Sequence, residues 1–138
     1  SRGQFGGGGG VLIRFSGPDA YPVPLPGSGF GVVFEDDGET GYLYVTNEGA
    51  TEIFDALHLY DRGGPGQVVA GEELDVVWNP ALERAGLHYH GAFQAVIDFA
   101  NRRAMCRTGF PPADSRWCRG THAWDDDLLV GLEEPQPS

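Results

Sequence analysis

The chain has 138 residues, 41% of them hydrophobic, and a net charge of −11 from 20 acidic and 9 basic side chains. That length suits one domain with a core of its own, and the composition excludes a wholly disordered chain. No apolar run reaches the roughly 18–20 residues of a membrane-spanning helix. Phosphate backbones and anionic leaflets require a basic surface, so neither nucleic acid nor membrane is an expected partner.

All nine basic residues are Arg, so lysine Schiff-base chemistry is excluded. Cys106 and Cys118 are too few for a disulfide framework and lack zinc-ligand spacing. With no export signal in view, the expected location is cytoplasmic and the expected state is two reduced thiols.

In chain order, residues 1–10 hold six glycines and are expected to form a flexible arm. A single β domain is expected over residues 11–132, and a polar tail over 133–138. Residues 11–15 suit a short strand. Residues 16–29 carry four prolines and three glycines and are expected to be a loop. Phe30, Val32 and Phe34 alternate with polar or small residues, and Asp37-Gly38 then leads into a second β-prone run at 41–46. Two such runs around Asp-Gly predict a hairpin, because the turn needs positive φ. Residues 53–61 form a longer apolar stretch, a strand or a short helix, with strand the favoured reading. Residues 74–78, 84–89, 93–99 and 104–108 predict a four-stranded meander. The best helical segment is 124–132, one or two turns long, with Asp125 to Asp127 suited to its N-terminus. The predicted fold is therefore mainly β, a curved antiparallel sheet or small β-sandwich built on meanders, with at most one short C-terminal helix.

The stretches FEDDGETG (34–41), DALH (55–58), CRTGFPP (106–112) and HAWDDDLL (122–129) occur in this order. With the residues around them they resemble a family of short bacterial proteins classed as a domain of unknown function, over about residues 29–129. The resemblance implies a compact bacterial domain and carries no activity. It departs at Leu87 to His90, where the family is expected to be apolar and then Asn-Gly. A role for His88 and His90 would belong to this chain alone.

Three sets of residues are candidates for function. The acidic turn Glu35, Asp36, Asp37 and Glu39 lacks the ligand rhythm of a calcium loop, and suits either a solvated hairpin or a rim meeting a partner's Arg or Lys. His88 and His90, spaced i and i+2, share a strand face and could ligate one divalent transition metal, with Gln94 and His122 as further ligands. That depends on register. A three-residue turn at 91–93 puts His88, His90 and Gln94 on one face, whereas a two-residue turn at His90-Gly91 puts His88 opposite Phe93. Lastly, Arg107, Phe110, Trp117, Trp124 and Asp125 suit an interface hot spot, or else a local arrangement with Arg107 paired to Asp98 or Asp125. Asp55 and His58 would form an acid–base pair only on a helix; on a strand they face opposite ways. No Gly-x-Ser-x-Gly elbow and no phosphate-cradling loop is present.

The leading expectation is an acidic binding module for a protein partner, of basic character, with no cofactor and no catalytic residues. An inhibitor or immunity-like role fits by analogy. The alternatives are the metal site above, and a small-ligand pocket on a concave sheet face lined by Trp78, Tyr42 and Tyr44.

Overall fold

A computed structural model describes residues 9–135. Nine strands form two antiparallel sheets packed face to face. β1 (Gly9–Arg14), β6 (Glu73–Asn79), β7 (Arg84–Tyr89), β8 (Ala92–Asp98) and β9 (Arg103–Cys106) make a five-stranded sheet in the order β1-β6-β7-β8-β9. β2 (Asp19–Leu25), β3 (Phe30–Asp36), β4 (Thr40–Asn47) and β5 (Ile53–Asp61) make a four-stranded sheet in sequence order. The fold is thus the sandwich of the two expected architectures, with the β6–β9 meander and the β3–β4 hairpin where the pattern placed them. Among the described residues the single helical element is a 3-10 turn, Asp126–Leu129, capped by the Asp125 side chain, which accepts the Asp127 N–H.

The core lies between the sheets. Val32, Phe34, Leu43, Val45 and Leu57 point in from one side, and Leu74, Val76, Trp78, Leu87 and Ile97 from the other. Each such side chain contributes about 1.5–3 kcal/mol by leaving water. Period-two alternation decides the inward set: Leu74, Val76 and Trp78 go in together, as do Val32, Phe34 and Asp36.

Two expectations about segments need correction. Residues 16–29 are not all loop, because β2 runs through them with Pro22 opposite Val33 and Pro24 opposite Gly31. β2 is an edge strand, where a residue without an N–H loses nothing if that side faces away from the neighbour. The Gly-rich arm does not extend to residue 10. Gly9 and Gly10 belong to β1, and a Cβ at Gly10 would sit 2.9 Å from the Val76 carbonyl oxygen. Residues 1–8 lie outside the described residues. At the other end, Glu134 comes within 3.3 Å of His88, and 136–138 lie outside the described residues.

The two outer faces differ. Over the five-stranded sheet, residues 124–132 fold back so that Leu128 packs on Phe93, Val96 and Met105, with Trp124, Leu129 and Leu132 alongside. Among the described residues no such cover lies over the four-stranded sheet. Among the described residues no helix is long and apolar enough to cross a membrane.

Candidate functional site

β4 places Leu43 and Val45 in the core, so Tyr42 and Tyr44 stand on the outer face of the four-stranded sheet. Their rings stack at 5.8 Å with an 11° tilt. His58, opposite Tyr42 on β5, meets that ring edge-on, and Phe110 meets His58 at 5.9 Å. Phe110 is 54% exposed. The result is a row of four rings, Tyr44, Tyr42, His58 and Phe110, in which Phe110 is exposed, the tyrosines are half-buried and the His58 side chain keeps 12% of its surface in solvent.

Carboxylates flank this row. Glu35, opposite Tyr42 on β3, accepts the Tyr44 hydroxyl at 3.2 Å. Burial, then the Glu35 charge, pushes the Tyr44 phenol up to about 12, so it remains a donor at neutral pH. Asp61 lies 2.9 Å from His58 Nε2. Asp37 turns its carboxylate back on the hairpin, accepting the Thr40 and Glu39 N–H groups, which hold it below the usual carboxylate range.

The 107–123 segment closes the edge of the sandwich beside β5. The His58 N–H donates to the Phe110 carbonyl at 2.8 Å, and His58 Nδ1 lies 3.1 Å from the Thr108 hydroxyl. Asp61, His58 and Thr108 thus stand in the order of a hydrolytic triad. However, Thr108 Oγ1 already accepts the Phe110 N–H, and its proton lies as close to the His58 carbonyl as to the ring. The arrangement clamps the turn.

Beneath the surface, Asp55 faces inward, as a strand position three residues from the outward His58 must. Its carboxylate is 2.7 Å from His122 Nε2, while His122 Nδ1 is 2.6 Å from the Pro111 carbonyl. Asp55 also accepts the Asp114 N–H. Cys118 completes a group whose ligand-type atoms lie within 4.8 Å of one another. Burial, then the Asp55 charge, raises the Cys118 thiol to about 11, and burial raises Cys106 as well. A metal here would have to break the Asp55–His122 bond and strip a reluctant thiol. With an acceptor facing each ring nitrogen, His122 instead fastens the 107–123 segment to β5. Both cysteines are free and buried.

The residues singled out from sequence fall into separate places. His90-Gly91 forms the two-residue turn, with positive φ at both, and His88 pairs with Phe93. The ladder skips Gln94, whose amide donates to the Tyr89 carbonyl. His90 reaches Glu72, His88 reaches Glu134, and His122 reaches Asp55. The four expected ligands therefore do not converge. Trp78 is 2% exposed and faces the core, on the far side of the chain from Tyr42 and Tyr44, so these three line no common pocket. Arg107 pairs with neither Asp98 nor Asp125: its guanidinium lies 3.6 Å from the Trp124 ring centroid and its Nε donates to the Phe93 carbonyl. Arg84 takes Asp98 at 2.7 Å and Arg103 takes Asp125 at 3.5 Å. Trp117 stacks on Phe54 and edges Phe99, sealing the end of the core. Of the expected hot spot, Phe110 alone joins the open row. Of the acidic turn, Glu35 borders the row, whereas Asp36 is buried and Glu39 turns to a cleft beside Tyr60.

Residues that the sequence reading missed are Asp55 as the partner of His122, and Tyr60 as the partner of Asp36. The Tyr60 hydroxyl donates to Asp36 at 2.6 Å. A signal for Asp36 existed, since it continues the Phe30, Val32, Phe34 alternation. Tyr60 had none: the β4–β5 ladder skips Leu59, and this bulge turns Tyr60 inward over Gly41.

Comparison with known proteins places this arrangement in a family. A relative from Haemophilus influenzae, described as an uncharacterized protein, is 35% identical over 94 residues, covering 65% of this chain and 58% of that protein. The chain thus spans less than two thirds of that relative's length. No solved structure matches. Residues 20–133 match the family described as "Uncharacterized protein conserved in bacteria (DUF2251)", and the chain belongs to it.

Proposed function

We propose that this domain is a binding module that recognises a basic protein through the outer face of its four-stranded sheet. The observation that carries the reading is the uncovered row Tyr44, Tyr42, His58 and Phe110, bordered by Glu35 and Asp61. Tyrosine supplies large contact area at small entropic cost, and such rings dominate interface energetics. A carboxylate border steers partners of the opposite charge, and the net charge of −11 extends that field. An inhibitor-like role, in which stoichiometric capture occludes a basic partner, follows from the same chemistry, and such capture would take place in the cytoplasm.

The test compares capture from a bacterial lysate by the wild-type chain and by a Tyr42→Ala/Tyr44→Ala variant of equal thermal stability. The expected result is a basic protein retained by the wild type, lost from the variant, and released as salt approaches about 1 M, where the screening length is about 3 Å. Equal retention by both baits would overturn the reading.

A further inference from the structure

A cleft of about 260 Å³ opens at one end of the sandwich, walled by Phe15, Pro18 and Val68 and floored by Asp36 and Tyr60. Glu39 and Arg62 stand among the residues that line it. We infer that this cleft is a receptor for an alkyl-guanidinium or alkyl-ammonium group.

Asp36 is the chief argument. It is 7% exposed, and its carboxylate accepts the Gly38 N–H at 2.8 Å and the Tyr60 hydroxyl at 2.6 Å. Both partners are neutral. Buried carboxylates are ordinarily matched by a cation, since hydrogen bonds from neutral groups offset only part of the desolvation cost. A carboxylate has about four acceptor directions, so roughly two remain open. The Tyr60 oxygen accepts from the Val68 N–H, and its one proton is spent on Asp36. Burial, then that hydrogen bond, raises its phenol well above the ordinary range, which keeps it neutral. The carbonyl oxygen of Gln67 is already taken by the Gly63 N–H. Asp36 and Glu39 therefore present acceptors to the cleft, and acceptors select a donor. Arg62, exposed at the rim, directs its guanidinium to the Gly38 carbonyl at 3.3 Å, and the two carboxylates Asp36 and Glu39 outnumber it.

Size narrows the ligand further. Pockets for drug-sized molecules begin near 300 Å³, so a nucleotide or a larger cofactor does not fit, while a short methylene chain ending in a cation does. The apolar wall formed by Phe15, Pro18 and Val68 suits the methylenes. The bare Gly41 completes the construction. A Cβ there would lie 2.3 Å from the Tyr60 ring, so no other residue lets Tyr60 cross the strand to reach Asp36. Such a group can come from a free small amine or from an Arg or Lys side chain of a partner. The inference is independent of the sheet-face reading, because its probes are small molecules and its variants leave the tyrosine row intact.

The experiment titrates the full chain with agmatine, with an end-blocked tripeptide carrying a central Arg, and with sodium chloride at matched ionic strength, following amide resonances. The expected result is saturable movement of Gly38, Gln67 and Ala70 with agmatine or the peptide and none with salt. Affinity should fall at least roughly tenfold in Asp36→Asn. Should Asp36→Asn fail to fold, the exposed variants Glu39→Gln, which weakens binding, and Ala70→Trp, which plugs the cleft, decide instead. Peptide binding as tight as agmatine assigns the group to a partner's side chain; agmatine binding with the peptide shut out assigns it to a free amine. Either supports the site. Shifts no larger than those with salt, or wild-type affinity in the variants that fold, overturn it.

Discussion

The two outer faces of this sandwich carry similar raw material and treat it differently. On the five-stranded sheet, Phe93, Val96 and Met105 are sealed under Leu128, Leu129 and Trp124, and Arg84 and Arg107 reach up to hold that cover through the Val130 carbonyl and the Trp124 ring. On the four-stranded sheet, Tyr42, Tyr44 and His58 are joined by Phe110, with no comparable apolar cover among the described residues. The choice of apolar residue explains part of the difference. Aliphatic side chains and Phe bring no polar atoms and favour burial, whereas Tyr and His keep a polar tip that works in water. A sheet whose chain supplies its own cover needs no partner for that face. A sheet that carries rings beside carboxylates with no cover among the described residues is the face on which the proposed function rests.

The comparison breaks most sharply at its hinge, the 107–123 segment. His122→Ala removes the 2.7 Å partner of the buried Asp55 carboxylate and leaves it only backbone N–H donors such as that of Asp114; breaking such a buried pair costs about 3–5 kcal/mol, and chemical denaturation of the variant should show a loss of that size. Leu128→Ala removes the centre of the cover and is expected to cost about 2–5 kcal/mol on the same assay. Tyr42→Ala and Tyr44→Ala, on the open face, should each cost less than about 1 kcal/mol while abolishing partner capture. If the tyrosines proved as costly as Leu128, the open face would be a structural one.

A smaller effect concerns pH on the covered side. Burial works against the ionised form of Asp98, but hydrogen bonds from the Asn101 side chain and backbone and from Arg84 together outweigh it, holding the carboxyl below its usual value. A depressed carboxyl supplies stability that is complete above the unfolded value of about 3.9 and is lost as pH falls through the folded value. The unfolding midpoint should therefore fall below about pH 4, and Asp98→Asn should flatten that limb of the curve. An unchanged acid limb in Asp98→Asn would move the effect to another carboxylate.

Much of this architecture was legible in the sequence. Period-two alternation marked β3 to β9, and Asp37-Gly38 marked the first hairpin. What was not legible came from three physical sources. Proline argued against β2 because its cost depends on which edge the missing N–H faces, and one strand read alone does not say. Bulges at Leu59 and Gln94 reversed the facing of their neighbours, which took Tyr60 to Asp36 and separated Gln94 from His88. Long-range pairs such as Asp55 with His122, 67 residues apart, have no local signature. The site was read in part. The acidic, aromatic character of the sheet was visible, but Trp78 belonged to the core, Trp117 to its end, and Trp124, Arg107 and Asp125 to the cover.

The most direct test of the central claim is a hydrogen-exchange footprint of the chain bound to a basic protein recovered in the capture experiment. The account predicts new protection along Tyr42 to Tyr44 and His58 to Asp61 and in the Phe110 turn, with residues 124–132 unchanged. Protection confined to residues 124–132 and β8, with the tyrosine row exchanging as in the free chain, would contradict it.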